Sequence, residues 1–373
     1  MTLDEYIVNY PILAQLNQIE QDPIYHAEGN VAVHTDMVLN RLETLEYFKS
    51  LSEETRNELR FTAAFHDVGK IWTTVHEPDG RIRSPNHARV GANEAYRILW
   101  DQGIDPQIRY KIYGLIANHT KPPWWVSSNK TERDAVKMAE ECPLDLLIAL
   151  SKADVLGRID GTSDGARLLN VELCELALEE HDVLYTKAKM TPKALLEYVS
   201  QANPNRFYEP HEDNNEFPVY VMWGLPGSGK DTWIERESNL DLPVISLDAI
   251  RIRNNIYDRS RQSEVAAIAY EEAKEFLRKR QPFIWNSTNL VRDLRSKVLK
   301  LIHDYHGTSH VICIDTPPNL AKNRNNLRDD GKVPEKNFEN MLRKLSPVLT
   351  YEANHVKYIG SNAGNFTNGI CST

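Results

Sequence analysis

The segment Gly224-Leu225-Pro226-Gly227-Ser228-Gly229-Lys230 constrains this chain more than any other stretch. Its glycines let backbone N–H groups turn inward around an anion, and a helix starting at the lysine adds its partial positive charge. The β-prone run Val219-Tyr220-Val221-Met222-Trp223 precedes the loop, and an amphipathic stretch follows it. Strand, glycine loop and helix in that order predict a parallel α/β sheet with the loop at the carboxyl edge. There Gly224, Gly227, Ser228 and Gly229 would cradle phosphates, and Lys230 would reach the β- and γ-phosphates of a nucleoside triphosphate. One position departs from the usual pattern. Asp231 stands where a Ser or Thr hydroxyl ordinarily approaches Mg2+, and Thr232 follows it. Binding of an NTP with Mg2+ is expected, with the protein ligand of the metal left open.

The rest of the back half fits this frame. Four more β-rich runs, PVISLD, PFIWNST, HVICID and VKYIG, alternate with helical stretches and make a five-stranded parallel sheet over residues 217–373. Asp248 ends the second run, with Arg251 one short turn later. At that edge Asp248 can accept the proton of an acceptor hydroxyl, or it can cap the helix that begins there. Asn286-Ser287-Thr288-Asn289 ends the third run on the same edge. Arg324 and Arg328, four apart on one predicted helical face, read either as a lid over the triphosphate or as solvated arginines.

Residues 1–202 carry apolar positions at spacings of three and four and read as all-α, and the Pro- and Asn-rich stretch 203–216 reads as a linker. The net charge of −9 argues against coating nucleic acid by bulk electrostatics. It is unevenly spread: residues 217–373 hold 22 Lys and Arg against 18 Asp and Glu, a balance of +4 that leaves −13 for the first 216. Four scattered cysteines, no leader-like start and no run of roughly 20 apolar residues predict a cytoplasmic protein away from membranes.

Polar residues fall on the apolar stripes of the front helices. His34 shares a face with Val38 and Leu42, His66 follows Leu59 and Ala63, and His119 closes the series Ile108, Ile112, Leu115. Asp154 completes Leu147 and Leu150, Asp67 adjoins His66, and His87 opens a helix whose inner face holds Gly91 and Ile98. One such histidine alone reads as a hydrogen-bonded core residue. Together they can converge on an ion, and a His/Asp set suits Mn2+, Fe2+, Co2+, Ni2+ or Zn2+. Lys70 and Arg158 read as phosphate contacts at that site, or as a solvated lysine and a structural ion pair. Trp124 and Trp125 offer a stacking face or a loop anchor, and His26 and His76 read as surface or loop residues.

His66-Asp67-Val68-Gly69-Lys70, with a His before it and further His and Asp residues after it, resembles the HD phosphohydrolase superfamily. The resemblance implies a helical bundle with His34, His66, Asp67 and Asp154 on one metal and Asp67, His87 and His119 on a second. The back half resembles the polynucleotide-kinase branch of P-loop proteins. This implies Lys230 on phosphate, Asp248 as general base, Arg251 on the acceptor side, and Arg324 or Arg328 in the lid; Ser287 departs from the acidic residue placed there in relatives. In domain order the whole resembles the HD-Pnk family of bacterial RNA end-healing enzymes. That implies hydrolysis of 2′,3′-cyclic or terminal phosphate ends in front and NTP-dependent phosphorylation of a 5′-OH behind. The partners implied are nucleic-acid ends, with RNA favoured over DNA, and a separate ligase. Two other readings remain: an HD nucleotidase fused to a small-molecule kinase, and a nucleotide-binding regulator on a degenerate HD scaffold.

Overall fold

The computed structural model describes residues 2–159, 164–210, 216–236, 241–329, 331–362 and 365–371. Part of the expected linker, residues 211–215, lies outside them. The chain divides into two compact units, Met1–Trp100 with Gln107–Lys189, and Asp101–Pro106 with Met190–Thr373. The division falls at Lys189, ahead of the expected linker. The helix Pro192–Val199, which the sequence pattern assigned to the front, clusters with the second unit, where it packs on the turn Thr350–Glu352.

The first unit is helical, apart from a short antiparallel hairpin of β1 (Val75–His76) and β2 (Ile82–Arg83). Asn30 caps the helix Val31–Thr44 through the amide of Val33, and Ser52 caps Glu53–Phe65 through Thr55. The apolar stripe Val38, Leu42, Leu59, Ala63, Leu115, Leu147 and Leu150 is buried together. Two helices stop earlier than periodicity suggests. Glu53–Phe65 ends with His66 as its C-cap, and Pro106–Asn118 ends one residue before His119. Both histidines therefore lie just past helix ends, where carbonyl groups lack intrahelical donors.

In the second unit the strands are β3 (Pro218–Trp223), β4 (Val244–Ser246), β5 (Phe283–Asn286), β6 (Thr308–Asp315), β7 (His355–Asn362) and β8 (Asn365–Cys371), in the order β4-β5-β3-β6-β7-β8. The five expected strands are all present and parallel, and β8 adds an antiparallel sixth on β7. The sequence NFTNGIC of β8 lacks apolar alternation, which hid it. Strand β3 is central, and Met222, Ile284, Ile312, Ile314 and Ile359 pack with Trp233 into one core. No helix among the described residues is long and apolar enough to cross a membrane.

Candidate functional sites

In the helical unit all six expected ligands meet around Asp67. Asp67 Oδ2 lies 3.3 Å from His66 Nε2 and 3.8 Å from His34 Nε2. Asp67 Oδ1 lies 3.2 Å from His87 Nε2 and 3.7 Å from His119 Nε2. Asp154 Oδ1 is 3.0 Å from His34 Nε2, and the Nε2 atoms of His87 and His119 are 3.4 Å apart. His34, His66, Asp67, His119 and Asp154 are buried, and His87 is half-buried.

The remaining ring nitrogens explain this convergence. The Nδ1 atoms of His66, His87 and His119 lie 2.7, 2.8 and 2.7 Å from the carbonyls of Ala63, Ser84 and Ile116, each three residues back. A carbonyl only accepts, so Nδ1 carries the proton and Nε2 presents a lone pair. Burial, then the neighbouring His66 and His87, pushes His119 down to about 3, keeping it neutral. Burial opposes charging His34, but the Asp154 and Glu28 carboxylates outweigh it and raise its pKa. Asp67 and Asp154 are held well below the usual carboxylate range against burial, chiefly by Lys70 and Arg158 respectively.

Imidazole nitrogens and carboxylate oxygens gathered this closely are a donor set that could hold divalent cations. The Nε2 atoms of His34 and His66 and Oδ1 of Asp67 are buried, and the polar atoms nearest them belong to the cluster itself. His34, His66 and Asp154 offer ligand atoms within 4.8 Å of one another, as do His66, Asp67 and His119. The residues fit one or two transition-type divalent ions, with His66 common to both groups.

Two residues that sequence reasoning passed over complete this site. The Glu28 side chain is buried, with Oε1 3.1 Å from His34 Nδ1 and 2.7 Å from His26 Nδ1, and Oε2 accepts from the amide of Ile159 at 3.0 Å. His26 is thus half-buried beside the cluster rather than a surface residue, and burial lowers its pKa to about 4. A carboxylate behind a ligating imidazole fixes its tautomer and raises its basicity. The sequence His26-Ala27-Glu28 lies in a loop without periodicity, so no signal marked it.

Lys70 is buried, with Nζ 2.7 Å from both Asp67 Oδ2 and Gln21 Oε1, which excludes the solvated reading. Arg158 Nη2 donates to Asp154 Oδ1 at 3.1 Å. Trp125 is buried as a loop anchor, whereas Trp124 is exposed.

In the second unit the loop after β3 holds Gly224, Gly227 and Gly229 at φ of 153°, 79° and 100°, backbone that only glycine adopts without strain. A Cβ on Gly227 would also stand 2.3 Å from the carbonyl of Ala321 in the helix Pro318–Asn326. Lys230 opens the helix Lys230–Arg236 and is buried, donating to the carbonyls of Gly224 at 3.0 Å and Leu225 at 2.9 Å. Burial lowers its pKa to about 8. Ser228 is buried, its carbonyl accepting from Thr316 Oγ1 at 2.8 Å, and Thr232 is half-buried in the helix.

Asp231 Oδ1 accepts from Asn286 Nδ2 at 2.7 Å at the end of β5, and Oδ2 lies 3.6 Å from Arg328 Nη2. Asn289 Nδ2 donates to the carbonyl of Met222 at 2.7 Å, while the amide of Gly224 donates to Thr288. The Asn286–Asn289 stretch therefore braces the loop as well as bordering it. Asp248 lies in the first turn of the helix Leu247–Arg253, exposed, 3.9 Å from Arg251 Nε. The cap of that helix is Ser246, which accepts from the amide of Ala249. Asp248 is left with its carboxylate open to solvent.

The expected pairing of Arg324 and Arg328 on one helical face does not occur. The helix Pro318–Asn326 ends between them, so Arg324 lies in its last turn and Arg328 beyond it. Of the two, Arg328 is the one shown beside Asp231. Arginines in the stretches after Asp248 and Asn286 are held in ion pairs. Arg253 pairs with Glu272, Arg261 with Glu264, and Arg295 is buried against Glu352.

Residues 219–348 match a family model described as an AAA domain. Among solved structures, a candidate kinase from Chloroflexus aurantiacus j-10-fl aligns with a TM-score of 0.30 at 22% identity, over 35% of this chain and 76% of that one. No curated protein matches this chain. The back half thus places a glycine-rich phosphate loop in a stretch similar to an AAA domain, after a helical unit that gathers histidines and carboxylates around Asp67.

Proposed function

We propose that the chain carries two phosphate chemistries: a metal-dependent phosphohydrolase of the HD type in the helical unit, and a P-loop kinase for an acceptor hydroxyl behind it. The observation that carries the first is the convergence of four imidazole Nε2 atoms on Asp67 and Asp154. His34, His66, Asp67 and Asp154 would hold one ion, and Asp67, His87 and His119 a second. Such ions supply phosphoryl charge neutralisation and an activated water. Lys70 and Arg158 hold the two carboxylates charged and supply cationic N–H groups beside them.

For the second chemistry, the inward-turned loop binds the triphosphate, and Lys230 exchanges the carbonyls of Gly224 and Leu225 for phosphate oxygens. Mg2+ arriving with the NTP would meet the Asp231 carboxylate. Asp248 accepts the proton of the acceptor hydroxyl, and Arg251 lies one turn away on that side. Arg328 is the cation for charge on the transferred phosphoryl group, with Arg324, in the last turn of the preceding helix, as the other candidate.

The substrate reading is RNA ends: a 2′,3′-cyclic or terminal phosphate for the front site, a 5′-OH for the back, and a separate ligase to join the healed ends. It rests on the order of the two modules and on the motif of each. A short RNA with a 5′-OH and a 2′,3′-cyclic phosphate, incubated with ATP and Mg2+ or Mn2+, tests it by end analysis. Opening of the cyclic end with gain of 5′-phosphate is expected. If neither end changes while mononucleotides are hydrolysed or phosphorylated, the small-molecule reading replaces it.

A further inference from the structure

We propose that Gln21, with Lys70, forms an oxyanion clamp beside Asp67 that takes a phosphoryl oxygen of the substrate or of the phosphate product. The proposal rests on the phosphohydrolase reading and adds to it a residue that binds the anion rather than the metal.

Gln21 follows the 3-10 segment Pro11–Gln18 and is only 7% exposed. Its Oε1 accepts from Lys70 Nζ at 2.7 Å, and the same ammonium lies 2.7 Å from Asp67 Oδ2. A lysine can only donate, so the amide carbonyl must face it and the amide nitrogen must face elsewhere. That nitrogen, Nε2, is buried and has no hydrogen-bond partner in the protein. An amide NH2 removed from water without an acceptor is costly, and an unstructured loop could relieve the cost by turning it outward. The amide stays in, one hydrogen bond from the Asp67–Lys70 pair.

The chemistry of the neighbours says what the missing acceptor is. Lys70 has three N–H bonds, and Asp67 and Gln21 take two of them. Lys70 and Gln21, joined by a hydrogen bond beside Asp67, thus each keep N–H capacity that these contacts do not use. A ligand that meets cation and donors at once is an anion with several oxygens, which is the form of a phosphate ester or inorganic phosphate. The far carboxylate repeats the arrangement: Arg158 donates to Asp154 through Nη2, and its Nε is buried without a partner.

The test is calorimetric titration of the full chain, first with Mn2+ and then, when loaded, with inorganic phosphate. The variants are Gln21→Leu, which removes the donor, and Gln21→Glu, which keeps an oxygen for Lys70 but puts a carboxylate where the donor was. Phosphate affinity is expected to fall roughly tenfold in the first and further in the second, with Mn2+ affinity unchanged in both. Unchanged phosphate affinity in both variants overturns the clamp, and so does a parallel loss of Mn2+ binding, which would make Gln21 a support for the metal ligands. Should the leucine variant fail to fold, the glutamate variant alone decides. Wild-type protein that binds neither Mn2+ nor phosphate would instead overturn the phosphohydrolase reading itself.

Discussion

A Cβ placed on Gly69 would stand 2.0 Å from the carbonyl oxygen of His87 and 2.6 Å from the amide nitrogen of Gly91. The turn carrying Asp67 thus lies directly against the first turns of the helix His87–Asp101, and this contact holds His87 Nε2 at 3.2 Å from Asp67 Oδ1. Gly69 has an ordinary helical φ of −62°, so here glycine answers a demand for space and not for backbone freedom. Gly69→Ala is expected to cost about 1–3 kcal/mol and to move His87 away from Asp67. Thermal melting and Mn2+ stoichiometry check both, and a variant with unaltered metal content refutes the link.

Glu28 acts on the cluster through His34. Glu28→Ala should lower Mn2+ affinity by about 10- to 100-fold while the chain remains folded. Equilibrium titration with Mn2+ measures it, and affinity equal to wild type would show that Glu28 serves only the loop.

The two sites use different residues, so their losses should separate. Asp67→Ala is expected to abolish phosphate-end hydrolysis and retain NTP-dependent phosphorylation, and Lys230→Ala to do the reverse. Parallel assays of both activities on each variant test this; loss of both in either one contradicts independent sites.

Asp248 is exposed and pairs only loosely with Arg251, so its replacement should cost little stability. Asp248→Asn is expected to lower kcat of phosphorylation by about 100- to 10,000-fold while NTP affinity stays near wild type. Kinetics with a 5′-OH acceptor, alongside NTP binding, distinguish a base from a residue that merely shapes the loop.

Burial lowers the Lys230 pKa to about 8, below its value in an unfolded chain. In the free protein the ammonium is present below about pH 8 and is lost above it. NTP affinity should therefore be full at neutral pH and fall as pH rises through 8. Stability moves the other way: above pH 8 the unfolded chain holds the proton that the folded one has released, so this group favours folding as pH increases further. Titrations with NTP at several pH values test the first sign, and denaturant melts test the second.

Much of both sites could be read along the chain because their signals are local. A loop that turns amides inward needs residues able to take positive φ, so the three glycines before Lys230 declare it. Imidazoles on apolar stripes are equally conspicuous, since nothing else in a helix of Leu and Val explains them. The helix ends were less legible: His66 and His119 lie one residue past where their helices close, because each gives its Nδ1 proton to a carbonyl of the last turn.

The sequence alone determined the two-part character of the chain, the five β-rich runs, the phosphate loop and the candidate ligands Asp67 and the five residues that meet around it, for each shows as a local pattern. Tertiary structure decided what depends on distant parts of the chain meeting. Glu28 and Gln21 reach His34 and Lys70 only after a loop without periodicity folds back. Asn286 at the end of β5 meets Asp231 in the helix after the phosphate loop, and the helix carrying Arg324 stops short of Arg328. The close contacts of Gly69 with Gly91, and of Gly157 with Val38, belong to the same class. A missing Cβ leaves no pattern in a sequence, and only the neighbouring backbone shows what its absence makes room for.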